Sequence, residues 1–455
     1  MAADPAVVRL ERVPAPATVP AVSRRLALPR PRLALERFTL PNGLRVVLNP
    51  DRSVPTVGIA VFYDVGFRSE PEGRTGFAHL FEHLMFQGSA TLEKGEADRL
   101  IEGNGGMGNG STHADYTNYI TQLPSNALEL GLFLEADRMR AARLTEETLH
   151  NQIAVVKEEI RVNVLNRPYG GFPWIDLPPV MFKTFNNAHN GYGSFVDLES
   201  ASLEDAADFY RRFYCASNAV LSVAGDLDPE RTRQLIVEHF GDLPRRRTPP
   251  VPNCSESAPT RERRHAGVDP LAPLPAVAVG YRVPDPIAAL DEYLAIVVLS
   301  ELLAGGEASR LFQRLVKRDR TATHAFGMLG TFGDPFDVRD PTMLQLLAYL
   351  PPGTPVKLVL TAIDEEVGRV AEGVGSGEVQ RVATGLVSDW FRQLDNVLER
   401  AMVIGVLEQQ RRRPAMVNEL PAALAEVTPE AVATAAGTWL ATRGRAVLEV
   451  VPGAP

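Results

Sequence analysis

The chain has 455 residues, 45% hydrophobic and 23% charged, so a globular protein of two or more domains is expected. A net charge of −9 argues against a nucleic-acid partner, and the two cysteines, Cys215 and Cys254, are too few for a disulfide framework or a thiolate metal site. No apolar run reaches the about 18 residues of a membrane span.

Residues 1–34, rich in Pro, Ala and Arg, read as a flexible arm. They lack the basic start and apolar core of a secretory signal, so a cytoplasmic location is expected. Arg37–Leu40, the turn Pro41-Asn42-Gly43 and Leu44–Leu48 read as a β-hairpin, and Val57–Tyr63 as a third strand.

The next segment, Thr75–Phe86, reads Thr-Gly-Phe-Ala-His-Leu-Phe-Glu-His-Leu-Met-Phe. Phe77, Leu80, Phe81, Leu84 and Met85 would cover most of a buried helix. His79 and His83 are four apart, so both rings fall on one side and can reach one metal ion. Glu82 lies beside them, placed to polarise a water at that metal. This is the inverted His-x-x-Glu-His form of the metalloprotease helix motif. Two core histidines bonded to carbonyls are the competing reading. A catalytic zinc site needs a third protein ligand and keeps one position for water.

Glu93–Glu102 reads as a helix, and the Gly-rich stretch 103–110 enters a strand running toward Tyr119. Those glycines would leave a sheet edge clear for a peptide to add as an extra strand; an ordinary tight turn is the alternative. No Gly-Lys-Ser/Thr follows, so the stretch is not a phosphate loop.

A long helix is predicted over Glu146–Asn166, with Ile153, Val156, Ile160 and Val164 forming one apolar stripe. Glu159 and Gln152, seven apart, share a face near that stripe, whereas Glu158 falls on another side. Glu159 is therefore the expected third ligand.

These stretches resemble the pitrilysin family of inverzincin metallopeptidases, nearest to its processing-peptidase branch. The resemblance rests on the motif with Leu84-Met85-Phe86-Gln87-Gly88, on Gly105–Thr112 with Asp115, Thr117 and Tyr119, on Leu123–Leu130 with Glu135–Met139, and on Asn151–Glu159 closing at Asn166–Gly170. It covers most of residues 35–240 and, more weakly, the remainder. The family's spacing from second His to third ligand also falls on Glu159. The resemblance implies one Zn2+ per chain held by His79, His83 and Glu159, with Glu82 as the catalytic base. It implies peptide contacts at Asn109 and Gly110. Many members carry Glu where Gln152 stands; Gln152 keeps a hydrogen bond beside the ligands but not the charge.

Pro-, Arg- and Ser-rich residues 245–274 read as a linker between a catalytic domain, 35–244, and a second, non-catalytic domain, 275–455. A faint repeat joins the halves. Ser202-Leu203-Glu204 opens a helix leading to strand Ala219–Val223, and Thr428-Pro429-Glu430 opens one leading to Ala446–Val450. This points to an α+β fold of two related domains, and the resemblance implies that each is a mainly antiparallel sheet with helices on one side, the pair forming half of a clamshell.

Complete family sites use an Arg and a Tyr from the second half to steady substrate and oxyanion. The matching positions here are Val316 and Thr323. A missing transition-state donor costs on the order of 10²–10³ in rate, so a partner is implied: a related subunit in a heterodimer, or a second copy in a homodimer. The remaining histidines show no ligand spacing, and His113, just after the Gly-rich stretch, is the best placed of them. A Ser-His-Asp site is not expected, because no Gly-x-Ser-x-Gly elbow occurs. The expected activity is zinc-dependent endoproteolysis of unstructured peptides, such as a precursor leader or a presequence. The alternatives are a non-catalytic structural or peptide-binding subunit of a processing-peptidase-like complex.

Overall fold

Chain reversal at Gly43, whose φ of 98° suits a residue without a side chain, sets the first hairpin. It joins β1 (Glu36–Thr39) to β2 (Arg45–Pro50) in the computed structural model, which describes residues 32–453. Most of the arm expected at 1–34 lies outside the described residues. β3 (Thr56–Tyr63) follows, then α1 (Phe77–Leu84), α2 (Glu96–Gly103), β4 (Met107–Thr112) and β5 (Thr117–Pro124). The half continues through α3 (Leu128–Arg140), α4 (Glu146–Ile160), α5 (Leu203–Phe213), β6 (Ala219–Gly225) and α6 (Pro229–Phe240).

The second half runs β7 (Arg263–Asp269), β8 (Ala276–Arg282), α7 (Leu290–Ala304), β9 (His324–Leu329) and β10 (Met343–Tyr349). Then come α8 (Val356–Glu372), α9 (Ser376–Asp395), α10 (Val397–Arg411), α11 (Met416–Ala425), α12 (Pro429–Trp439) and β11 (Ala446–Pro452).

The strands form two sheets, β1-β2-β6-β3-β5-β4 and β7-β11-β8-β10-β9. In the first, β6 is parallel to β2 and antiparallel to β3; in the second, β11 is parallel to β7 and antiparallel to β8. Five strands therefore repeat in order and sense, in accord with the repeat read from the sequence. Both signalled caps are in place: Ser202 accepts from the Asp205 N–H and Thr428 from the Ala431 N–H.

Side chains alternate across a strand, and here both faces of each sheet are buried. Val57, Ile59, Val61 and Tyr63 of β3 enter the first core with α1 and α3. Ala60 and Phe62 point the other way, onto Val397, Ala401 and Val406 of α10, a helix of the second half. The arrangement is reciprocal. In β8, Val277 and Val279 face the second core, while Ala276 and Ala278 pack against Phe172, Leu177, Met181 and Phe182 of the first half. The one-sided helix layers expected for each domain are thus completed by a segment lent by the other half.

Three boundaries differ from the sequence reading. The strand expected to run from the Gly-rich stretch to Tyr119 is a hairpin, because the chain reverses at His113–Tyr116, closed by the His113 N–H on the Tyr116 carbonyl at 2.8 Å. The helix expected through Asn166 changes pitch after Ile160, where five π-type residues, Arg161–Leu165, end it. β7 begins inside the segment read as a linker; its Arg-Arg-His-Ala-Gly-Val-Asp sequence has no apolar alternation because it is an exposed outer strand.

Glycine sets the approach of α10. A Cβ on Gly405 would lie 2.2 Å from Phe62 Cε2, and one on Gly58 would lie 2.8 Å from the Leu398 Cα. Gly405→Val is expected to destabilise the protein by about 1–3 kcal/mol through overpacking. Gly385→Ala, at an exposed position of α9 with open space at its Cβ, should be stabilising by up to about 1 kcal/mol. Urea denaturation midpoints of the two variants provide the comparison.

Candidate active site

α1 starts on Gly76, which has φ 89° and offers no side-chain cap. The wholly buried Glu70 supplies the missing acceptors. Its two oxygens take the N–H groups of Gly76 at 2.9 Å and Ala78 at 2.7 Å, and one also meets His189 Nε2 at 3.2 Å. Asp197 accepts from the Thr75 N–H at 3.0 Å. Burial raises the pKa of Glu70, opposed by its bond to His189. Burial pulls His189 down, but the bond to Glu70, the Glu70 charge and the Phe185 and Phe67 carbonyls together leave the imidazole above its ordinary value.

His79 and His83 leave α1 on the side facing α4. Their Nε2 atoms are 3.3 Å apart, and Glu159 Oε2 lies 3.5 Å and 3.2 Å from them. Among the described residues these three form the one cluster of His, Cys, Asp or Glu with metal-ligand spacing, all three atoms falling within 4.8 Å. Glu158, one residue earlier, is exposed and pairs with Arg161 at 3.0 Å. Gln152 is buried on the same face of α4 as Glu159, close to His83.

The cluster has the character of a cation site. Glu159 Oε2 is buried yet makes no hydrogen bond of proper geometry despite its closeness to both rings. The carboxylate oxygen and the two Nε2 atoms face one another closely enough to share one ion. Burial, followed by the neighbouring His83, pushes His79 down to about 4, which favours the neutral, lone-pair-bearing ring. Two imidazole nitrogens and one carboxylate oxygen are a donor set suited to zinc.

Glu82 sits beside this point. Thr112 Oγ1 of β4 donates to its Oε2 at 2.6 Å. Burial raises the Glu82 pKa, and the Thr112 bond offsets part of that rise. β4 is the free outer strand of its sheet. Because His113 opens the ladder, alternate residues Ser111 and Asn109 bond to β5, so Gly110 and Thr112 turn their N–H groups to the open edge. The Gly110 N–H meets the Asn109 side-chain oxygen at 2.9 Å. A Cβ on Gly110 would come within 3.1 Å of Glu82 Cγ, so the strand runs hard against the helix there.

A cavity of about 470 Å³ opens in front of these groups. His79, Glu82, Gly110, Ser111 and Thr112 line one side, Trp174 and Tyr192 another, and Met328, Thr331 and Phe332 of the second half the third. The Tyr192 ring stands edge-on to His79 at 5.0 Å, and its hydroxyl accepts from Asn163 at 3.3 Å. The sequence reading missed Tyr192, Trp174 and Phe332. The available signal was Gly191-Tyr192-Gly193, where a Cβ on Gly193 would strike the Thr75 backbone at 2.3 Å. Val316 packs on the second core, and Thr323 bonds to the Tyr349 carbonyl; neither lines the cavity. His113 lies between Ser111 and Asp337.

Two family profiles cover the chain: "Insulinase (Peptidase family M16)" over residues 45–167 and "Peptidase M16 inactive domain" over residues 200–386. The chain belongs to the M16, or pitrilysin, peptidase family. It is 31% identical to the zinc protease PqqE of Helicobacter pylori over 301 residues, 64% of this chain and 66% of that relative, so just under two thirds of the relative is matched. It is 25% identical to the probable mitochondrial-processing peptidase subunit beta of Arabidopsis thaliana over 434 residues, 91% of this chain and 78% of that relative. A protease from Helicobacter pylori of solved structure shares the fold with a TM-score of 0.85 at 24% identity, covering 92% of this chain and all of that one. No described helix is long and apolar enough to cross a membrane.

Glu70→Gln is expected to cost about 1–3 kcal/mol, because a buried acceptor of two helix N–H groups and a His partner is weakened. Faster hydrogen exchange at the Ala78 amide, with little change at α12, would mark the loss as local to α1.

Proposed function

We propose that this M16 chain is a zinc endopeptidase for unstructured peptides. The observation that carries the reading is the convergence of His79, His83 and Glu159 on one point with Glu82 and a free sheet edge beside it. His79, His83 and Glu159 would hold the ion. Bound there, zinc supplies Lewis-acid polarisation of a carbonyl and lowers the pKa of a coordinated water.

The chain's own residues do the rest. Glu82 accepts the water proton on its carboxylate, with Oε2 steadied by Thr112, and returns that proton to the leaving amine. Its raised pKa brings the two transfers closer in energy. An incoming peptide would pair with the outward N–H of Gly110 and Thr112, displacing the Asn109 side chain from the Gly110 N–H. Trp174, Tyr192 and Phe332 would keep bulk water from the reacting groups. Gln152 would hold His83 in its ligating orientation.

The second half is read as non-catalytic, since α7, the topological counterpart of α1, contains no histidine. It presents Met328, Thr331 and Phe332 to the cavity and no cation. That supports a related subunit, or a second copy, bringing the Arg and Tyr absent at Val316 and Thr323. A precursor leader or a presequence is the peptide class that suits an edge strand open only to extended chain.

Cleavage of a fluorogenic peptide library, run alongside bound-zinc analysis, tests the roles. Glu82→Gln should keep its zinc and lose turnover by at least about 10²-fold, whereas His79→Ala, His83→Ala and Glu159→Ala should lose zinc as well. Full activity in Glu82→Gln would remove the assigned base.

Thr112→Val adds a pH readout. Glu82 must be ionised to accept a proton, burial already raises its pKa, and the Thr112 donor lowers it. Losing that donor should therefore move the acidic limb of kcat/KM to higher pH, with the basic limb unchanged.

A further inference from the structure

A second set of chemistry-bearing side chains borders the cavity and has no part in the proposed peptide hydrolysis. Ser111 lines the cavity, and its hydroxyl lies 3.1 Å from His113 Nε2. The other ring nitrogen, Nδ1, lies 3.0 Å from Asp337 Oδ2. Ser111 and His113 are two apart at the end of β4, so they share a face. Asp337 comes from the β9–β10 connection of the second half and is nearly buried, with 6% of its side chain exposed.

The imidazole is held in this orientation. It stacks on Tyr116 at 4.3 Å, with 15° between the planes, and meets Phe332 edge-on at 5.7 Å. The Ser111 hydroxyl also touches the side-chain oxygen of Asn118, whose Nδ2 is buried without a partner. The two ends of an amide are interchangeable in such a network. Turned over, Asn118 donates its N–H to Ser111 Oγ. The Ser111 proton then points to His113 Nε2, and the His113 Nδ1–H to Asp337.

This is the connectivity of a hydroxyl nucleophile, its base and the carboxylate that orients the base, an arrangement recognised by geometry and not by sequence order. No elbow motif marks these residues, because they come from a strand end and from a loop of the other half. The N–H of Thr112, directly after Ser111, points out of the free edge, where it can receive an oxyanion.

We propose that Ser111, His113 and Asp337 form a metal-independent acyl-transfer centre that hydrolyses carboxylic esters with an apolar acyl group. The apolar lining by Trp174 and Phe332 selects the acyl chain, and the small oxyanion provision suits esters, whose leaving groups are better than those of amides. Ser111 Oγ bonds to the acyl carbon as its proton passes to His113 Nε2. The ester C–O bond breaks and the departing alkoxide takes that proton. Water then attacks the acyl-serine, giving its proton to His113, and the acid leaves as Ser111 is restored.

The test uses the full-length zinc-bound chain and its Glu82→Gln variant, which separates this centre from the peptidase reading. Each is treated with a fluorophosphonate, the adduct is located by mass spectrometry, and p-nitrophenyl butyrate hydrolysis is followed in parallel. The expected result is one phosphonyl adduct on Ser111 in both proteins, with ester turnover that survives Glu82→Gln. His113→Gln should slow labelling by on the order of 10²-fold or more, and Asp337→Asn by at least about tenfold. Absence of the Ser111 adduct from the unsubstituted chain, or an unchanged labelling rate in His113→Gln, would overturn the proposal.

Discussion

A carboxylate with no exposed surface fixes the start of α1, and the positions of both clustered histidines, His79 and His83, are referred to it. Burying Glu70 carries a desolvation cost, offset by two helix N–H groups, by His189 and by the favourable end of the helix dipole. In return the first turn cannot fray. His79 and His83, one and two turns on, inherit that rigidity, as does Glu82 between them. The loop carrying His189, Tyr192 and Asp197 folds over the same helix start, so one segment secures the helix and also walls the cavity.

The cavity exists because the halves hold each other in directional contact as well as by apolar packing. Glu408 of α10, fully buried, pairs with Arg37 of β1 at 2.8 Å and Arg45 of β2 at 3.2 Å. On the cavity side, Arg339 of the second half pairs with Asp64 at 2.6 Å, and Arg68 pairs with Asp115 at 3.0 Å while reaching the Pro341 carbonyl. Removing one member of such a buried pair leaves its partner uncompensated, so these contacts specify one arrangement of the halves more than they add to its stability. The loop that delivers Phe332 to the cavity is anchored by the same pairs.

Much of the site was legible because helical periodicity is a local property. His79 and His83 announced themselves by spacing, and Glu159 was separable from Glu158 by the stripe Ile153, Val156, Ile160. The caps Ser202 and Thr428 likewise marked their helices. What escaped was non-local. The turn at His113–Tyr116 has no glycine or proline, and Asp115 alone is a weak signal against a continuing strand. β7 is a strand through its pairing with β11 and not through its own composition. Phe62 and Ala60 fell within a predicted strand, but only the fold could say that a helix from the far end of the chain covers them. The proximity of Asp337 to Ser111 and His113 depends on the docking of the two halves and leaves no trace in local sequence.

The mutual lending of cover has an evolutionary reading. The lent segments occupy the same topological place in each half: Phe172–Phe182 follows α4, and α10 follows α9, each after the helix pair that succeeds the β5 or β10 strand. An exchange made the same way in both directions is what two identical units would make about a twofold axis. A lone ancestral half, with the face bearing Ala60, Phe62, Val220 and Ala224 open to water, would have needed a second copy to bury it. Fusion of the two copies into one chain would then free one of them to lose its ligands while still serving as the other's lid.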